Sequence, residues 1–173
     1  DIHEAFVTNS NVDLNYIRNR LFDNMKVEWS QEINSVSKLR TYVLFKNAYN
    51  TEPYLKIVRN RQHRAILSQF RCGVLPLRVE TGRYYDIPVE FRLCTLCDKN
   101  DIEDELHFLL HCSRYNDVRS EFFCKIIKNV INFMDMSDIE KISILMSENY
   151  IKETSQVLHK CYQIRSNALY VAT

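Results

Sequence analysis

Two glycines and three prolines in 173 residues leave this chain few places to turn sharply. Average usage would supply about 12 and about 9. A sandwich or barrel needs a turn signal every ~8–12 residues, which so few turn-formers cannot provide. The chain therefore reads as all-α. Apolar residues at 46% and charged residues at 26% give enough material for a packed core and exclude a disordered tail. No run of ~18 apolar residues occurs, so no membrane-spanning helix is expected. The net charge of +1 makes any electrostatic function depend on local segregation of charge.

The opening Asp1-Ile-His-Glu has neither an initiating Met nor the basic-then-apolar order of a signal peptide. It reads as a piece of a longer chain or as a processed protein. Six cysteines are an even number. The chain is long enough to own a core without staples, so reduced thiols in an intracellular setting, nuclear or cytoplasmic, are expected over a disulfide framework.

Helical spacing organises most of the chain. Leu14, Ile17, Leu21, Met25, Trp29 and Ile33 form one stripe behind Asp13, a candidate N-cap. Residues 37–49 suit a helix, although Tyr42-Val-Leu-Phe45 would also suit a buried strand. Pro53 opens a helix that runs to Gly73, a candidate left-handed C-terminal residue. Residues 74–92 hold Pro76, Gly82 and Pro88 and read as an irregular connection. Asp101 can cap a short helix to His111, and Ser113 can cap the next, with Tyr115, Val118, Phe122, Ile126, Val130 and Phe133 on its apolar stripe. Ser137-Asp-Ile-Glu140 is a capping box before Ile142 and Leu145. A last helix from about Lys152 carries Val157, Cys161, Ile164 and Ala168. The expected organisation is one compact unit: a helical half over 1–73, an irregular segment with a metal module over 74–112, and a helical half over 113–173.

Within 74–112 stands the one constellation with chemistry in it: Cys94 and Cys97, nine residues, His107, four residues, Cys112. Two thiolates separated by two residues can grip one ion from a tight turn, and a His with a final ligand shortly after can close the tetrahedron from a helix. Sulfur with imidazole selects Zn²⁺ over harder ions. Four protein ligands leave no open position, which predicts structural zinc in a CCHC site. His111, four residues after His107, is an alternative to Cys112 as fourth ligand, and three buried thiols with a satisfied histidine are the bland alternative to a metal. Cys72, Cys124 and Cys161 have no ligand-type neighbours and read as core or free thiols.

Charge is segregated as well. From Lys38 to Arg92 eleven Lys and Arg face four Asp and Glu, an excess of +7, and an acidic run follows at Asp98–Glu105. Arg61, Arg64, Ser68 and Arg71 fall within about 80° of helical arc, opposite Ile66, Leu67 and Phe70. Arg78, Arg83 and Arg92 extend the basic run, interleaved with Tyr84 and Tyr85. Cations with aromatics suit phosphate contact and base stacking on RNA or DNA. The alternative is a solvated face whose arginines pair with the acidic run. A glycine-rich phosphate loop, a G-x-S-x-G elbow and an H-E-x-x-H motif are all missing, and Tyr84-Tyr-Asp86 lacks the second aspartate of a polymerase metal motif. Catalysis is not expected.

Several segments together resemble the C-terminal zinc-binding region of non-LTR (LINE-type) retrotransposon reverse transcriptase polyproteins. They are Ser37-Lys-Leu-Arg-Thr-Tyr42 with Phe45-Lys46, Glu52-Pro-Tyr-Leu55, Arg64, Leu67, Phe70-Arg71 and Gly73, then Glu80 and Gly82-Arg83-Tyr84. The densest part is Arg92-Leu-Cys94 with Cys97, followed by Ile102-Glu-Asp-Glu105, His107-Phe-Leu109, Cys112 and Tyr115. The resemblance spans about residues 36–165. It implies that Cys94, Cys97, His107 and Cys112 hold zinc, and that the segment assists a reverse transcriptase core of the same polyprotein by engaging template RNA or target DNA. The polymerase is absent from this chain, so no polymerising activity carries over. The expectation is a non-catalytic accessory module binding RNA or DNA through Arg61, Arg64, Arg71, Arg78, Arg83 and Tyr84. The alternative is a structural or protein-interaction domain in which zinc only stabilises the fold.

Overall fold

The computed structural model describes residues 13–46 and 48–171. Helices dominate, and no strand forms among the described residues; the only sheet-like pairing there is an antiparallel bridge between Leu93 and Ile102. The chain divides after Ser37 into two compact units, so the boundaries expected at 73 and 112 fall inside the second.

The first unit contains α1 (Leu14–Ser35), started by the Asp13 carboxylate, which accepts from the Asn15 N–H at 2.8 Å. Its apolar stripe does not become core: Leu14, Leu21 and Met25 are exposed, and Ile33 is the buried member.

Across the division and into the second unit run two 3₁₀ turns, Ser37–Arg40 and Tyr42–Leu44, in place of the helix or strand expected over 37–49. The single helix expected over 53–73 is broken. A short α2 (Tyr54–Ile57) ends at Val58, and α3 (Arg61–Arg71) restarts after Asn60, whose side chain accepts from the Gln62 and His63 N–H groups. Asn60 is a favoured N-cap, and the Arg64 guanidinium donates to Val58 O at 3.0 Å across the break. Ile66, Leu67 and Phe70 turn inward, as their spacing predicts.

The helix α3 ends in a Schellman motif. Val74 N–H bonds Gln69 O, Gly73 N–H bonds Phe70 O, and Gly73 sits at φ +64°. A Cβ at Gly73 would lie 2.0 Å from the backbone oxygen of Lys38, which cannot withdraw without moving the chain. Gly73→Ala is therefore expected to cost more than the ~1–2 kcal/mol of a left-handed L-residue, read as a fall in the denaturation midpoint. A midpoint equal to wild type would show that the two segments can separate freely.

Residues 74–92 are tightly wound, not irregular: α4 (Arg78–Thr81) and 3₁₀ turns at Gly82–Tyr85 and Val89–Phe91 fill the connection. Arg92 donates to Ile87 O at 2.8 Å and to Val79 O at 2.7 Å, and so closes this loop on itself. After the metal-ligand segment, a 3₁₀ turn at Ser113–Tyr115 leads into α5 (Asn116–Ile127). The Ser137–Glu140 capping box forms as read and opens α6 (Asp138–Leu145). The last helix, α7 (Ile151–Val171), packs on α3 above all, and also on α5, α2 and the turn at His107–His111. Leu67, Phe70, Leu75, Leu77, Phe108, Leu109, Tyr115, Ile126 and Leu158 form the fully buried centre around it.

Candidate metal centre

Cys94, Cys97, His107 and Cys112 converge: their ligand atoms all lie within 4.8 Å of one another. Cys94 Sγ is 3.8 Å from Cys112 Sγ, and Cys97 Sγ is 3.4 Å from His107 Nε2. These four can hold a metal ion.

Local structure explains the convergence. The Leu93–Ile102 bridge, with Cys94 N–H bonded to Asp101 O at 2.8 Å and Glu103 N–H to Arg92 O at 3.0 Å, folds residues 94–101 into a loop. Within it the Leu96 N–H donates to Cys94 Sγ at 3.4 Å. The helical segment after it is started by Asp104, whose carboxylate accepts from His107 N–H at 2.7 Å, and not by Asp101 as the sequence predicts. Asp101 instead faces His107 Nδ1 at 3.6 Å. The carboxylate thus stands behind the imidazole, beyond hydrogen-bond distance, while Nε2 faces the Cys97 sulfur.

The step from His107 to Cys112 is taken by a π-helical turn, His107–His111, closed by Cys112 N–H on His107 O at 2.7 Å. On an α-helix, residues five apart point about 140° away from each other. The wider i→i+5 turn, a form frequent at functional sites, brings Cys112 back over His107. His111 leaves the cluster, and its Nε2 lies 2.6 Å from Asp138 Oδ2. Arg119 then fixes the end of the turn: buried to 4% exposure, it donates to the carbonyls of Cys112 and Leu109 and to Asn116 Oδ1.

The electrostatics favour one ionised sulfur, that of Cys94. The hydrogen bond from Cys112 pulls the Cys94 thiol down to about 3, and the same bond with burial pushes Cys112 up. Burial works against a proton on His107, but the Cys94 thiolate, Asp101 and Asp104 outweigh it and raise the imidazole. Cys161 lies buried outside the cluster, its thiol pushed up to about 12 by burial, and Cys124 is exposed.

The basic residues do not form one face. Arg71 is only 4% exposed; it pairs with Glu52 and stacks its guanidinium on Phe45 and Tyr54 at 4.3 and 4.9 Å. Arg64 is half-buried on Val58 O, and Ser68 Oγ is 2.8 Å from Tyr54 Oη. The stripe read as open surface is thus largely covered by residues 42–58. Arg78 is half-buried, with its backbone N–H on Glu103. Arg61, Arg83 and Tyr84 are exposed, with Arg83 reaching Glu80 at 3.4 Å.

The carboxylates of the acidic run that matter most also turn inward. Glu103 takes Arg165 Nε and Nη2 at 2.8 and 2.9 Å, and Glu105 takes Arg40 at 2.8 Å and Thr41 at 3.2 Å. Arg40 with Glu105 is a pair of the kind the alternative reading expected, between the basic and the acidic run, but with its carboxylate buried and not on a solvated face. The Glu103–Arg165 pair was missed, since a buried carboxylate reads like any other in a charged stretch. The nearest signal was the place of Arg165 four residues after Cys161, beside the apolar stripe of the last helix. No family model matches the chain, and neither does any curated protein or solved structure.

Proposed function

We propose that this chain is a non-catalytic zinc-binding accessory module of a retroelement reverse transcriptase, in which zinc is a structural staple and RNA or DNA the ligand. The observation that carries the zinc reading is the convergence of three sulfurs and one imidazole on one point. With Zn–S near 2.3 Å and Zn–N near 2.0–2.1 Å, a tetrahedron has S–S edges of about 3.8 Å and S–N edges of about 3.6 Å. Two of the six edges here are 3.8 Å and 3.4 Å, and all six lie within 4.8 Å. Three sulfurs and one imidazole are the donors zinc prefers among available ions. Bound there, zinc would supply cross-linking of the loop to the π turn. The closed donor set argues against a water-activating role.

The nucleic-acid part rests on the resemblance and on the exposed Arg61, Arg83 and Tyr84. Two phosphate contacts from the arginines, at ~0.7 each on a single strand, give a log–log salt slope of about −1.4 or steeper. Tyr84, at 73% exposure, offers a stacking platform. The inward turn of Arg71 favours a second reading, a protein-interaction domain in which zinc only stabilises the fold. Fluorescence anisotropy of the zinc-loaded chain with a single strand, an RNA hairpin and a DNA duplex across a salt series decides between them. Salt-sensitive binding supports the first reading; no binding even at low salt overturns it in favour of the second.

A further inference from the structure

A concavity of about 600 Å³ opens where the break between α2 and α3 faces α7. Its rim carries Lys56 and Arg59 from the break and Lys152 from α7, with His63 of α3 in its wall, and no Asp or Glu lines it. All three cations are exposed, and among the described residues none has a carboxylate within ion-pair distance. Lys38, Arg40, Lys46, Arg71 and Arg165 elsewhere in this unit are each matched to a glutamate. Three positive charges around one hollow repel one another and concentrate potential there, which an anion relieves.

The hollow is built on fixed parts. Arg64 holds Val58 O and the Asn60 side chain occupies the first N–H groups of α3, so the segment presenting Arg59 is tied at both sides. The ring of His63 rests 4.8 Å from that of His159 on α7. Burial first, and then His159, lower the pKa of His63.

We infer that this concavity binds phosphate groups, and that its occupant is the backbone of a single-stranded nucleic acid, with Lys56, Arg59 and Lys152 as the contacts. The choice of a strand as occupant rests on the nucleic-acid reading above; the anion chemistry of the hollow does not. Three further contacts at ~0.7 each steepen the single-strand salt slope from about −1.4 to about −3.5.

The test compares zinc-loaded wild type with the triple variant Lys56→Gln, Arg59→Gln, Lys152→Gln, using labelled oligouridine across a salt series. These side chains are exposed, and unchanged circular dichroism establishes that the variant folds. A second probe, inorganic phosphate, is followed through the ring resonances of His63 and His159. The expected result is a slope near −3.5 for wild type and near −1.4 for the variant. Equal slopes and affinities for both proteins would overturn the site while leaving nucleic-acid binding in place. If oligouridine binds neither protein but phosphate shifts the histidine resonances of wild type alone, the anion site stands and the strand as occupant fails. No response of wild type to either probe overturns both.

Discussion

Cys112→Ser is expected to release the metal and, with it, the cooperative fold of the second unit. Cys112 and His107 are buried at 0% and 3% exposure, amid Phe108, Leu109 and Tyr115. Three of the four candidate ligands, with Cys94, therefore lie within the core, and Cys97 is half-buried at its edge. Structural zinc sites contribute apparent free energies of about 10–16 kcal/mol in isolated fingers, as much as the ~5–15 kcal/mol that holds a whole domain. Loss of one thiolate leaves three donors and a polar group facing apolar neighbours. Cys161→Ser, also buried but outside the cluster, is expected to keep one metal per chain, whatever it costs in packing. Elemental analysis with thermal unfolding reads both. Equal metal content in the two variants would refute the ligand assignment, and a metal-free Cys112→Ser protein melting like wild type would refute the staple.

Breaking the Glu103–Arg165 pair comes next in expected effect. Both side chains are nearly inaccessible, at 3% and 7% exposure, and Glu103 also accepts the Arg78 N–H at 2.8 Å. Burial alone would lower the Arg165 pKa, but Glu103 outweighs it and raises it. Glu103→Leu strands a buried guanidinium, a change that costs about 3–5 kcal/mol. At ~2–4 °C per kcal/mol for a domain of this size, the melting temperature falls by about 6–20 °C. Adding Arg165→Met removes the stranded charge and recovers about half of the loss. The remainder, about 1–3 kcal/mol, is the Arg78 N–H left without its acceptor. A single variant melting within ~2 °C of wild type would show that this pair does not hold the ligand loop to α7.

What the sequence made legible was local. The spacing of Cys94, Cys97, His107 and Cys112 named the cluster that the fold assembles, because the loop and the helix that carry it are built from neighbours in the chain. Helix caps at Asp13 and Ser137 and the left-handed Gly73 were legible for the same reason. What stayed hidden depends on distant partners. Arg71 looked like one more surface cation at helical spacing, and only the approach of Phe45, Glu52 and Tyr54 makes it a core residue. The break at 58–60 was masked by good helical residues on both sides, and Asn60 as a cap outweighed them. Asp101 and Asp104 were equivalent as caps until the Leu93–Ile102 bridge committed Asp101 to the back of His107. The α1 stripe shows the converse: clear periodicity did not dictate burial of Leu14, Leu21 and Met25.

The π turn at His107–His111 carries a consequence for how such sites drift. At 100° per residue, four steps along an ordinary α-helix return a side chain to within about 40° of its start. A chain with one residue fewer between these two ligands would thus present them side by side by simple α-winding. The i→i+5 bond absorbs the extra residue without displacing either ligand. Spacing of three or of four residues between histidine and cysteine is then a difference of helix winding, with the same two side chains brought together in the same way.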